Sequence, residues 1–125
     1  NVKMATTIPS DLPPVFIDLR RIRQVFDNLI TNACHAMPEG GKLNISAIAE
    51  QDKVHVSFTD TGSGISEVNM EKVFEPLFTT KARGIGLGLA VSRNLVEANG
   101  GSIEVESAED KGSTFTVILP YKEVA

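Results

Sequence analysis

Apolar residues recur at three- and four-residue steps in one early stretch: Leu19, Ile22, Val25, Phe26, Leu29, Ile30 and Ala33. At 3.6 residues per turn they form a single stripe, so the stretch predicts an amphipathic helix that needs a second layer to cover it. Asp18 stands at the N-cap position, and Pro38-Glu39-Gly40-Gly41 ends the helix. The period then changes. Residues 42–49 and 53–59 alternate and are rich in β-branched side chains, with Gln51-Asp52 as a tight turn between them. A one-faced helix next to a one-faced hairpin specifies helices and a sheet in two layers.

The rest of the chain fits that plan. Residues 2–8 read as a short strand and 9–14 as a turn-rich connection. A second helix is predicted over 86–98, stopped by Asn99-Gly100-Gly101, and two strands over 102–106 and 113–119 close the chain. Residues 61–86 are rich in Gly, Ser and Thr, with a short helical patch near 67–73. A connection of that length without regular structure is expected to carry function. The fold class is α/β, a sheet with helices on one face.

Composition narrows the function classes. The 125 residues form one domain, 1–125, and 42% hydrophobic with 22% charged residues is ordinary for a folded chain. Sixteen acidic against twelve basic residues argue against a nucleic-acid surface. Arg20, Arg21 and Arg23 read as a solvated helix face. Cys34 is the single cysteine, so an internal disulfide is impossible and a reducing, cytoplasmic setting is expected. No apolar run approaches the ~20 residues that cross a bilayer.

Three groups of residues carry candidate chemistry. Asn28, Asn32 and His35 are spaced four and three apart, on a narrow stripe beside the apolar face. Their side chains either offer oxygen ligands to a hard cation such as Mg²⁺ or hydrogen-bond a neighbouring segment. Alternation puts Asp60 on the same side as Val54, Val56 and Phe58. A carboxylate there needs donors, which an amine-bearing base such as adenine or the local turn supplies. Gly84-Ile85-Gly86-Leu87-Gly88-Leu89-Ala90 leads into the second helix, where amides and the positive helix end suit phosphates. It is no P-loop, because no Gly-Lys-Ser or Gly-Lys-Thr follows. Phe74-Glu75-Pro76-Leu77-Phe78-Thr79-Thr80-Lys81 lies between the last two groups.

Taken in order, these segments resemble the catalytic ATP-binding domain of bacterial sensor histidine kinases, in the Bergerat-fold (GHKL) superfamily. Arg23 to Ala33 resembles the N box, Asp60-Thr61-Gly62-Ser63-Gly64-Ile65 the first glycine box, Phe74 to Lys81 the F box and Gly84 to Leu89 the second glycine box. Gly112-Ser113-Thr114-Phe115, then Leu119-Pro120, resembles the last strand. The resemblance covers essentially the whole chain. It implies a two-layer α/β sandwich, a mixed sheet packed against three helices.

It also implies ATP, with ADP as product, and Mg as ligands. Asn28 and Asn32 would hold the metal and the phosphates, and with Lys81 they form the catalytic set. His35 and Ala36 would lie beside them. Asp60 would bind the adenine amine, with Gly62, Gly64 and Ile65 around it and Thr114 supporting the base. Thr80 and Lys81 would reach in from the F box, and Gly84, Ile85, Gly86, Leu87, Gly88 and Leu89 would meet the phosphates. Asn28 stands where ATP-hydrolysing relatives carry Glu, so the base for water is missing and phosphoryl transfer is expected instead. Neither His35 nor His55 sits in a phosphoacceptor pattern. A helical dimerisation and phosphoacceptor domain is therefore expected before Asn1, with a response regulator downstream and the isolated domain a monomer. Ile85, where many relatives have Thr, departs from the pattern.

Two rivals remain. A serine kinase of the anti-sigma type, or a non-transferring ATP-binding module, shares most of these motifs. Asp60-Thr61-Gly62-Ser63 is also the aspartic protease tetrad, but such a protease should be nearly all strand.

Overall fold

The computed structural model describes residues 2–8, 19–65, 88–108 and 110–120. Those residues form five strands and two helices. Strands β1 (Val2–Thr7), β2 (Gly41–Glu50), β3 (Lys53–Asp60), β4 (Ser102–Ser107) and β5 (Ser113–Pro120) make one sheet in the order β1-β2-β3-β5-β4. β1 runs parallel to β2, and every other pairing is antiparallel, so the sheet is mixed. Helices α1 (Leu19–His35) and α2 (Gly88–Ala98) lie against each other and against the sheet, α1 over β2 and β3 and α2 over β4.

The predicted apolar stripe is the core. Ile22, Val25, Leu29 and Ala33 of α1 are buried, and they meet Leu43, Ile45, Phe58, Phe115, Val117 and Leu119 from the sheet and Val96 from α2. The Phe26 and Phe58 rings pack at 5.4 Å between centroids, tilted by 52°. Such an offset pair adds about 0.5–1.5 kcal/mol beyond its area burial. Between α1 and α2 the bridge is polar: the Asn28 side-chain amide donates to Ser92 Oγ at 3.1 Å, and Ser92 is fully buried.

The hairpin falls as predicted, with β2 one residue longer at both ends and β3 one residue longer at its outer end than the alternation alone marks. Its turn has a feature the sequence disguises. Gln51 and Asp52 both adopt left-handed backbone, with φ of 51° and 66°. That is the geometry of a type I′ turn, which usually takes glycine at the second position. Asp52→Gly is therefore expected to raise unfolding stability by about 0.5–1 kcal/mol, read from the denaturant midpoint at constant slope. The Asp18 cap, the 67–73 helical patch and the start of the second helix at residue 86 lie outside the described residues. Among the described residues no helix is long and apolar enough to cross a membrane.

Candidate functional site

The site grows from the end of β3. Asp60 is its last residue, and alternation turns the side chain to the helix face beneath α1, where it is only 4% exposed. One carboxylate oxygen accepts the Gly62 N–H at 2.9 Å. The sequence reading left two partners open for this carboxylate, and the local turn is one of them. A second donor remains compatible, because an ionised carboxylate accepts several hydrogen bonds.

The segment after Asp60 is strapped on both sides. Thr61 exchanges two bonds with Lys42, giving its N–H to the Lys42 carbonyl at 3.2 Å and taking the Lys42 N–H on Oγ1 at 3.1 Å. The Ser63 N–H reaches the Ala36 carbonyl at the exit of α1, 3.2 Å away. From the other side, the Asp110 N–H in the β4–β5 turn donates to the Ser63 carbonyl at 2.6 Å. Gly64 has φ +72°, and a side chain there would run into the Ala108 carbonyl. The first glycine box is thus a rigid strap between α1 and the β4–β5 turn.

This strap brings two of the predicted groups together. A Cβ on Gly62 would sit 2.6 Å from the Ala36 carbonyl, and Asn32 lies one turn earlier, its carbonyl taking the Ala36 N–H at 3.1 Å. Asn28 and Asn32 are half-buried on that face of α1, and His35 ends the helix exposed. Where the 36–40 turn meets Thr61 and Gly62, a shallow open pocket of about 200 Å³ forms. Ile65 packs at the edge of the core, and Gly88 and Leu89 open α2. Thr80, Lys81, Gly84, Ile85, Gly86 and Leu87, with the rest of the F box, lie outside the described residues.

The sheet register separates Thr114 from the Asp60 face. Thr114 pairs across the strands with Thr59, and their hydroxyls meet at 3.2 Å. That pair lies on the outer face of the sheet, opposite the face that carries Asp60, Phe58, Phe115 and Val117. The residue directly beside Asp60 in register is Ser113, 7% exposed and on the Asp60 side. The parity of Phe115, Val117 and Leu119 contains this information: counting back by twos lands on 113. Ser92 and Ser107, the other polar residues that the structure places in the framework, had no comparable signal. A lone Ser in a helix or at a strand end reads as surface.

Among the described residues, no cluster of three or more His, Cys, Asp or Glu could hold a metal ion. Residues 17–123 match the family described as histidine kinase-, DNA gyrase B- and HSP90-like ATPase. The chain belongs to this ATPase family. Sensor histidine kinase ZraS of Escherichia coli K12 is 44% identical over 119 residues, which cover 95% of this chain and 26% of that protein. The nucleotide-free catalytic domain of histidine kinase ThkA superposes with a TM-score of 0.85 at 37% identity, covering 96% of this chain and 79% of that one. Full-length ShkA in complex with AMPPNP has a TM-score of 0.84 at 30% identity, covering 99% of this chain and 26% of that one. The chain therefore spans about a quarter of the length of such full kinases. Membership in this family, and the two packed helices, remove the aspartic protease reading.

Proposed function

We propose that this domain binds ATP with Mg²⁺ and donates the γ-phosphoryl group to a histidine on a separate helical dimerisation and phosphoacceptor domain. That domain belongs to the same parent protein, in a cytoplasmic two-component pathway that ends on a response regulator. The observation that carries the reading is the junction of Asp60, Gly62 and Ala36. It sets a buried carboxylate next to a segment that packs on Ala36, one helical turn beyond Asn32, beside a shallow open pocket.

In the proposed pocket Asp60 accepts a hydrogen bond from the adenine amine. Asn28 and Asn32 are the residues that would hold Mg²⁺, through their amide oxygens. The structure is compatible with this: the Asn28 amide nitrogen is taken by buried Ser92, which fixes the plane of the group. Mg²⁺ accepts such oxygens together with phosphate oxygens and water, and when bound it would neutralise charge on the phosphates. Lys81 joins Asn28 and Asn32 as the proposed catalytic set, and Thr80 with Gly84 to Leu89 would close on the phosphates. The acceptor imidazole nitrogen forms a bond to the γ-phosphorus while the bridging P–O bond breaks. The electron pair leaves on ADP, and the imidazole proton goes to solvent. The domain contributes position and charge stabilisation, with no general base for water, since Asn28 cannot take a proton.

Labelled ATP tests the proposal. Incubated alone, this chain should stay unlabelled on histidine. With the phosphoacceptor hairpin of its own parent added in trans, the hairpin should gain acid-labile, base-stable label. Transfer to serine on an added partner would move the domain to the serine kinase branch, and no transfer with intact ATP binding would make it a binding module.

A further inference from the structure

Ser107 is the last residue of β4, and its hydroxyl is the junction of three segments around Asp60. Its Oγ lies 2.8 Å from the Ile65 N–H, 2.9 Å from the Gly112 carbonyl and 2.8 Å from Ser113 Oγ. The donor and acceptor inventory fixes the direction of each bond. An N–H only donates and a carbonyl only accepts, so the one Ser107 proton goes to Gly112. The third contact is then donated by Ser113. Ser107 accepts two bonds and gives one, and Ser113 has its proton tied down on the side away from Asp60's strand.

We propose that Ser107 is a positioning residue for nucleotide binding: it holds the Asp60–Ile65 strap at its far end and orients the Ser113 hydroxyl. This rests on the ATP reading of the site. Ile65 and Ser113 flank Asp60, one along the chain and one across the sheet. The strap has little freedom elsewhere, since Ser63 is bonded on both sides and Gly64 is pressed against the β4–β5 turn. At Ile65, the far end of the strap, the N–H is held by Ser107. Removing the hydroxyl leaves an N–H, a carbonyl and a hydroxyl to find new partners at once.

The test is calorimetric titration of Mg-ADP into this chain, with Ser107→Ala and Ser107→Thr as variants. Ser107→Ala is expected to bind about tenfold more weakly, the effect of one lost bond among part-buried groups. Ser107→Thr keeps the hydroxyl and should stay within about threefold of the parent. Amide exchange supplies a readout that general loosening would not produce. In Ser107→Ala the Ile65 amide should exchange faster, while Phe58 and Val117 stay protected. Ser107→Cys, which keeps the volume and donates poorly, serves if the alanine variant does not fold, and the same loss is expected. Parent-like affinity in the alanine or cysteine variant, or a threonine variant as weak as alanine, overturns the positioning role alone. A parent chain that binds no Mg-ADP overturns the nucleotide reading and this inference together.

Discussion

Asp60→Ala is expected to abolish Mg-ADP binding, with affinity falling by more than about 100-fold in calorimetry. The loss has two parts. The base loses its charged acceptor, and hydrogen bonds to charged groups contribute about 1.5–3 kcal/mol each. The Gly62 N–H also loses its partner, so the strap that shapes the pocket loosens. Asp60→Asn separates the two effects. The asparagine carbonyl can still accept from Gly62, so thermal stability without nucleotide should stay near that of the parent. Its amide, however, brings donor against donor at an adenine amine, and binding should still fall by about tenfold or more. Parent-like affinity in Asp60→Asn would show that the carboxylate serves the turn and not the base.

The fold was legible because its two periods are strong and adjacent. Ile22, Val25, Leu29 and Ala33 repeat at helical spacing, and 43, 45 and 47 then alternate, so each element announces the face it buries. The position of Asp60 was legible for the same reason. What could not be read was anything that depends on atoms far apart in sequence. The Asn28–Ser92 bond spans 64 residues and joins two helices, and no local rule pairs a helix asparagine with one particular serine. Ser107 is a similar case, since its role exists only once Ile65, Gly112 and Ser113 converge. The face that Thr114 occupies was missed for a simpler reason. The motif was matched by residue type, whereas the sheet sorts residues by parity, and a one-residue shift exchanges the faces.

Gly112→Ala should be among the most damaging single-methyl additions in the described chain, with an expected loss of about 3 kcal/mol and about 12 °C in melting temperature. Gly112 has φ +81°, a conformation that costs an L-residue roughly 1–2 kcal/mol. A Cβ there would also be driven into the Asp60 carbonyl and lie 3.3 Å from Thr61 Cα, all of it backbone that cannot rotate away. Relief requires β5 and the end of β3 to separate at the pair that places Ser113 beside Asp60. Gly100→Ala provides the matched control. Its φ is +80°, but the nearest atom to an added Cβ is Pro120 Cγ at 3.6 Å, an ordinary contact. The control should therefore lose only the conformational part, about 1 kcal/mol, and keep its Mg-ADP affinity. Gly112→Ala should lose both stability and binding, because the methyl group displaces the backbone of the residue that the pocket is built around. Equal losses in the two variants would mean that left-handed backbone alone explains both glycines, and that the contact between β5 and Asp60 tolerates a methyl group.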